Sequence, residues 1–105
     1  MTDKILVLTT ASSREEARKI GRTLVERLLA ACVSIVPRVD SIYRWEGEIE
    51  QAEEFLLIVK TTRGAFERVQ KAINEVHSYD VPECISVAID EGSTEYLSWI
   101  GQSVK

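Results

Sequence analysis

The chain has 105 residues, of which 45% are hydrophobic and 29% are charged, and its formal net charge is -4. This length predicts one domain over residues 1–105, built around a single core. The acidic balance disfavours nucleic acid and anionic membrane surfaces as partners, and no apolar run approaches the roughly 20 residues that span a bilayer. Charged Asp3 and Lys4 near the first residue are not typical of a signal peptide, so we expect a cytoplasmic protein.

The first predicted strand, Ile5 to Thr10, is a short apolar run of strand-forming residues that ends at a polar pair. Ser13 and Glu16 then have the spacing of a capping box, which predicts that a helix begins there. Gly21 on this helix indicates close packing against a sheet. The apolar stripe that would face the sheet recurs every three or four residues. Its members are Ala17, Ile20, Leu24 and Leu28.

From Cys32 to Thr61 the apolar period changes to two, which predicts two long strands joined by a turn at Glu46-Gly47. Each arm of about 14 residues would extend roughly 45 Å, whereas a compact domain of this length has a diameter of roughly 33 Å. The hairpin should therefore overhang the domain, and its exposed edge favours a neighbouring copy of the chain as cover. The alternative is a bent hairpin that stays within the monomer, with a bulge at Pro37.

The remainder of the chain predicts a helix, a strand and a terminal helix. The pair Thr61-Thr62 can cap the second helix, which should end near His77. A connection leads into a fourth strand from Cys84 to Ile89, and Gly92-Ser93-Thr94 precedes a short terminal helix. The apolar stripe of the second helix is Phe66, Val69, Ile73 and Val76.

This order of elements predicts an α+β fold: a ferredoxin-like βαββαβ sandwich with a long hairpin between its second and third strands and an extra C-terminal helix. The usual connections of that fold place the first and third strands in the centre of the sheet. The second strand, which is half of the long hairpin, should then be an exposed edge.

Candidate chemistry is concentrated just after the second helix. The single histidine, His77, is followed closely by Tyr79, Asp80, Glu83 and Cys84, which are metal-ligand and proton-transfer types. No fixed-spacing metal motif such as HxxxH or CxxC accompanies them. The alternative is a helix terminus at which His77 meets the negative end of the helix dipole and the acidic residues bond loop amides.

Two cysteines are too few for a disulfide framework. Cys84 lies near His77 in the sequence, which suggests a nucleophile with its base. However, an apolar strand follows Cys84, so we interpret both Cys84 and Cys32 as packed, unreactive thiols.

The aromatic residues at the turn, loop and chain end favour a protein interface over base stacking, because a basic groove is missing. The acidic arm of the hairpin is interpreted as a solvated strand face. It contains Glu48, Glu50, Glu53 and Glu54.

Five motifs occur in order along nearly the whole chain. They are Ala30-Ala31-Cys32-Val33 with Ile35 and Pro37, Ser41-Ile42-Tyr43-x-Trp45-x-Gly47, Leu57-Ile58-x-Lys60-Thr61, His77-x-Tyr79-x-x-Pro82-Glu83 and Tyr96-Leu97-x-Trp99. With them the chain resembles the CutA divalent-cation tolerance family. The resemblance implies a ferredoxin-like subunit in a homotrimer whose hairpins wrap around neighbouring subunits. It also implies tolerance of copper and other divalent cations, a trimer similar to PII signal proteins, and no enzymatic activity.

The resemblance further implies a pocket between subunits, in which His77 and Glu83 would hold a divalent cation such as copper or zinc. Thr9 stands where some family members have a copper-binding cysteine, and Val76 stands where they have a second histidine. Ser78 stands where the family commonly has a proline after the histidine, so the backbone is less restricted there. The implied pocket consists of Tyr43, Trp45, Lys60, His77, Tyr79 and Glu83.

Two other functions compete with metal binding. The first is a PII-like signalling trimer that binds a small ligand at the same clefts without physiological metal binding. The second is an acylphosphatase-like hydrolase, which needs a glycine-rich phosphate loop after the first strand; the segment Thr9 to Ser13 contains no glycine, so this function is disfavoured.

Overall fold

The computed structural model describes residues 2–105, and its sheet confirms the predicted α+β architecture. Four antiparallel strands lie in the order β2-β3-β1-β4, so the first and third strands are central and the second is an edge, as predicted. A 3-10 turn precedes the second helix. The elements are β1 (Lys4–Ala11), α1 (Arg14–Glu26), β2 (Cys32–Trp45), β3 (Glu48–Thr62), α2 (Phe66–Val76), β4 (Ile85–Ala88) and α3 (Thr94–Ser103), and the turn is Arg63–Ala65.

The core lies between one face of the sheet and the helices α1 and α2. Alternate residues of the central strands face it because side chains alternate along a strand, and Val7 lies directly opposite Val59 in the register. Ile20 from α1 and Ile73 from α2 meet them from the helix side, and all four are completely buried. Burying each such side chain contributes about 1.5–3 kcal/mol. This core is internal to one chain.

Helix α1 begins as predicted and ends earlier than its stripe suggested. The Ser13 hydroxyl accepts the Glu16 backbone N–H at 3.1 Å, which confirms the cap. The Cβ of an alanine at Gly21 would lie 3.3 Å from a Val33 methyl, which confirms close packing on the sheet. Leu28 is the exception: it is 45% exposed and has a positive φ of 61°, because the chain has already left the helix and reverses there. Buried Leu29 points inward in its place.

Two predicted boundaries are also wrong in detail. Thr61 does not cap the second helix; it is completely buried in β3, and its hydroxyl donates to the Leu29 carbonyl at 2.6 Å. Thr62 precedes the 3-10 turn without a side-chain cap. At the fourth strand, Cys84 and Ile89 lie outside β4. At Thr61 and Thr62, a tertiary contact and a 3-10 turn replaced the expected cap.

The long hairpin overhangs the sheet, as its length predicted. Strand β3 pairs with β1 only from Phe55 onward, whereas its pairing with β2 continues to the Trp45–Glu48 pair at the tip. The result is a two-stranded outer arm, residues 39–54, in a molecule of 44 × 25 × 23 Å. A bulge does occur at Pro37-Arg38, where the register shifts and Arg38 has a φ of 63°. It does not fold the hairpin back onto the domain.

None of the helices between residues 2 and 105 combines the length and the apolar character needed to cross a membrane.

Candidate functional site

His77 follows directly after α2, and its side chain is completely buried. The Nε2 atom lies 2.6 Å from the Thr10 carbonyl oxygen, and Nδ1 lies 3.0 Å from the Tyr79 backbone nitrogen. A backbone N–H can only donate, so Nδ1 accepts and Nε2 carries the hydrogen that it donates to Thr10. This geometry describes a neutral imidazole with both nitrogens engaged.

This hydrogen bonding occupies both ring nitrogens of His77, the first of the two predicted metal ligands. A cation at Nδ1 would have to displace the Tyr79 N–H, because a metal and a hydrogen-bond donor compete for the same lone pair. Glu83 is exposed. Within residues 2–105, no three His, Cys, Asp or Glu side chains are arranged to hold a metal ion. Metal binding by His77 and Glu83 therefore stays a prediction about the assembled protein.

Thr9, where the resemblance implies a copper-binding cysteine in some family members, is completely buried in the core opposite Leu57. In the part of the chain that the structure describes, its hydroxyl has no hydrogen-bond partner. A hydroxyl at this position is a weaker metal donor than a thiolate, since soft metals such as Cu(I) prefer thiolate ligands. The replacement of that cysteine by Thr9 therefore lies in the buried core of the domain.

Glu16 anchors the loop that begins at His77. Its Oε2 accepts the Ser78 backbone N–H at 2.8 Å, and its Oε1 accepts both the backbone N–H and the hydroxyl of Ser12 at 3.2 Å. Burial by itself would raise the pKa of Glu16, but the hydrogen bonds from Ser78 and Ser12, with nearby His77, lower it overall. Sequence reasoning assigned Glu16 to the helix cap alone and missed this second partner.

Tyr79 connects the same loop to the base of the outer arm. Its ring packs against His77 with centroids 4.6 Å apart, and its hydroxyl donates to Glu54 Oε2 at 2.7 Å. Burial raises the pKa of Tyr79, and the hydrogen bond and charge of Glu54 raise it further, with a smaller contribution from Tyr43. The phenol therefore stays a hydrogen-bond donor at neutral pH.

Glu54 corrects the interpretation of the acidic arm as a solvated face. Glu48, Glu50 and Glu53 are exposed, as predicted, but Glu54 is only 6% exposed. It lies on the strand face opposite to the core, where alternation predicts a wet side chain, and there it accepts the hydrogen bond from Tyr79. The sequence around Glu54 does not indicate that this carboxylate is buried, since its hydrogen-bond partner is 25 residues away.

The six predicted pocket residues do not meet within one chain. His77, Tyr79 and Tyr43 belong to the same junction between loop and arm. Trp45 lies at the tip of the hairpin and is 48% exposed. Lys60 lies six residues from Glu54 along β3, a separation of roughly 20 Å, and it contacts Ser34 and Cys32 instead. The predicted pocket between subunits therefore stays a prediction.

Comparison with known proteins places this fold and these motifs in a family. The chain matches the family model described as CutA1 divalent ion tolerance protein over residues 5–103. The chain belongs to the CutA family. This confirms the resemblance drawn from the five sequence motifs.

Relatives and solved CutA structures agree closely with the chain. The divalent-cation tolerance protein CutA of Thermus thermophilus is 48% identical over 98 residues, which cover 93% of the chain and 95% of the relative. A CutA homologue of Danio rerio is 43% identical over 94% of the chain, which spans 66% of that longer protein. The solved structure of the Thermus protein superposes with a TM-score of 0.95 at 46% identity, covering 97% and 99% of the two chains.

Proposed function

We propose that this CutA protein is a non-enzymatic, cytoplasmic homotrimer that acts in the response to divalent cations. In this proposal it binds a cation such as copper or zinc, or a small ligand, in clefts between its subunits. The observation that carries the proposal is the outer arm, which one chain leaves without a covering layer.

The arm supports assembly because it exposes apolar side chains on a strand edge. Ile42 and Ile49 are 66% and 69% exposed, and Tyr43 and Trp45 are nearly half exposed. An edge strand of this length and composition would invite uncontrolled pairing if it were left open. A symmetric neighbour that receives the arm covers both the side chains and the backbone edge.

The sheet face opposite the helices supports assembly independently. Val87 and Ile85 of β4 lie opposite Leu6 and Leu8 of β1, so these four share one face. Ile85 is 53% exposed and Val87 is 46% exposed, and the two leucines are half-buried. A second apolar surface of this kind is typical of a subunit interface rather than of an isolated monomer.

The junction at the base of the arm supports a cleft site. His77, Tyr79 and Glu54 already form a connected polar network at the point where the arm leaves the domain. An arm tip from a neighbour would bring Trp45 to such a junction, and a neighbour's Lys60 could supply positive charge. A cation would then be bound by His77 and Glu83, with the Nδ1 bond to Tyr79 opened.

Light scattering tests the assembly. We expect a mass of three times the 11.8 kDa chain. A monomer mass at micromolar concentration would overturn both the assembly and the cleft.

Calorimetric titration tests the cation site. Copper(II) and zinc are titrated into wild type, His77→Ala and Glu83→Gln, and we expect weaker binding in both variants. Glu83 is exposed, so Glu83→Gln should keep the fold and serves as the check on the buried His77 change. Isotherms identical to wild type in both variants would show that neither His77 nor Glu83 binds the metal.

A second candidate is a PII-like trimer that binds a small effector at the same clefts and no physiological metal. The observation that favours it is the neutral His77, whose two nitrogens already have partners. A thermal-shift screen of nucleotides and other anions separates the two candidates, because a ligand that binds the folded state raises Tm. Stabilisation by an anion but not by copper or zinc would favour the effector function.

A further inference from the structure

A second polar cluster lies on the hairpin, away from the His77 junction. Cys32 and Lys60 are directly paired across β2 and β3, and Ser34 lies two residues along β2. The Lys60 Nζ donates to the Ser34 hydroxyl at 2.6 Å and lies 3.7 Å from the Cys32 sulfur. Because paired residues on adjacent strands share one face, the sheet register itself holds the amine beside the thiol.

The two cysteines of the chain have different surroundings. Both are free and half-buried. Cys84 follows Glu83, and burial, together with this neighbouring carboxylate, raises the pKa of its thiol, which makes it a poorer nucleophile at neutral pH. Cys32 instead has a lysine amine as its neighbour. A sulfenic acid formed at Cys32 would therefore have an amine within reach, and sulfenic acids condense with nearby nitrogen.

We propose that Cys32 and Lys60 form an oxidant-dependent covalent crosslink, in which a peroxide oxidises the thiol and the lysine amine then closes a sulfur–nitrogen bond across the hairpin. The crosslink joins β2 to β3 within one chain. Both bonding atoms belong to one chain, and Lys60 pairs with Leu6 on the sheet face that we propose as a subunit interface, so the crosslink is expected where peroxide reaches that face.

The reaction balances in two steps. In the first, hydrogen peroxide transfers one oxygen atom to the Cys32 sulfur, so the thiol becomes a sulfenic acid and the peroxide is reduced to water. In the second, the Lys60 ammonium releases one proton to solvent, and its Nζ attacks the sulfur. The S–O bond breaks as the S–N bond forms, and the hydroxyl leaves as water with a second proton from the amine. The product is a sulfenamide, the same class of bond that sulfenic acids form with backbone nitrogen.

The geometry is suited to this closure. Lys60 carries its amine on a flexible four-carbon stem, so Nζ can cover the remaining distance by side-chain rotation while both strands stay in register. Ser34 acts as a positioning residue, because its hydroxyl holds Nζ on the face where the sulfur lies. The Ser34 hydroxyl is also 4.0 Å from the sulfur.

Mass spectrometry of the peroxide-treated full chain tests the crosslink. The experiment uses Cys84→Ser at mildly alkaline pH, since a disulfide between the two cysteines would otherwise lower the mass by the same amount. We expect a mass lower by about 2 Da than the reduced chain, the loss of two hydrogens, in place of the gain of about 16 Da for a sulfenic acid. Trypsin should no longer cleave after Lys60, the Cys32 and Lys60 peptides should stay joined, and dithiothreitol should restore both.

Lys60→Arg in the same background is the matched control, because it keeps the charge and cannot form the same bond. We expect that variant to accumulate oxygen adducts on Cys32 without the loss of about 2 Da. The proposal is overturned if Cys32 of the Lys60-containing chain gains oxygen without crosslinking, if it does not react, or if the loss persists in Lys60→Arg.

Discussion

The body of the molecule and the outer arm of its hairpin use the same strands in opposite ways. In the body, β3 is flanked by β1 and β2 and covered by helices, and its alternate residues are completely buried. In the arm, residues 39–54, the same two strands continue alone and expose Ile42 and Ile49. The body therefore buries its own apolar core, whereas the arm leaves its apolar side chains exposed. The His77 junction lies at the boundary between the two, where Tyr79 bonds to Glu54.

A matched pair of isoleucines gives the largest expected difference between the two regions. Ile73→Ala in α2 should lower the free energy of unfolding by about 2–5 kcal/mol, because it leaves a cavity in a completely buried site. Ile42→Ala in the arm should change the stability of the subunit itself by no more than about 0.5 kcal/mol. Urea unfolding at a concentration where light scattering shows only monomer measures both, because oligomer contacts would otherwise add to the stability. Equal losses would contradict the division into two regions.

Trp45→Ala probes the arm as an interface. If Trp45 anchors the arm on a neighbour, the change should weaken the oligomer by roughly 2 kcal/mol or more. Val25→Ala on α1 is the control, since Val25 is 41% exposed and far from the arm in sequence. Light scattering over a dilution series would detect dissociation. The interface role fails if both variants dissociate at the same concentration as wild type.

Tyr79→Phe tests the hydrogen bond that joins the loop after α2 to the base of the arm. The change leaves the buried Glu54 carboxylate without its 2.7 Å donor, which should cost about 1–3 kcal/mol. Glu54→Gln should cost less, since an amide oxygen can still accept from the phenol. A double-mutant cycle by urea unfolding gives the coupling between the two side chains. Strictly additive effects would show that the hydrogen bond does not link loop and arm.

Glu16→Gln is expected to have a smaller effect than Tyr79→Phe, and its pH dependence is diagnostic. The folded-state pKa of Glu16 lies below its usual value of 4.5, so its contribution is fully present above that pH and is lost as pH falls through the lowered pKa. We expect a loss of about 1 kcal/mol near pH 7. The difference from wild type should shrink below pH 4.5, as measured by unfolding at a series of pH values. A constant difference would show that the carboxylate charge plays no part.

Much of the fold could be predicted from local patterns. The switch of apolar period at Cys32 predicted the hairpin, the Ser13 and Glu16 spacing predicted the start of α1, and strand length predicted the overhang. Boundaries failed where a tertiary contact intervened: Leu28 turned out of the helix, and Thr61 donates its hydroxyl to Leu29 instead of capping α2. Propensity is a weak guide at such positions because packing outweighs it.

The candidate site was predictable in part. His77 and Tyr79 were identified from their residue types and from the family resemblance, and the structure brings their rings together. The burial of Glu54 was missed because alternation along β3 assigns it to the wet face. The second partner of Glu16 was missed because a capping motif already accounted for that residue.

The sequence by itself determined the elements, their order and the overhang of the hairpin, because these depend on period and length, which neighbouring residues encode. The motif series also identified the family. Only the tertiary structure decided which polar groups are buried together: the Glu54–Tyr79 bond joins residues 25 apart, and the Glu16–Ser78 bond joins residues 62 apart. Such contacts depend on how finished elements pack against one another, and no local pattern records that packing.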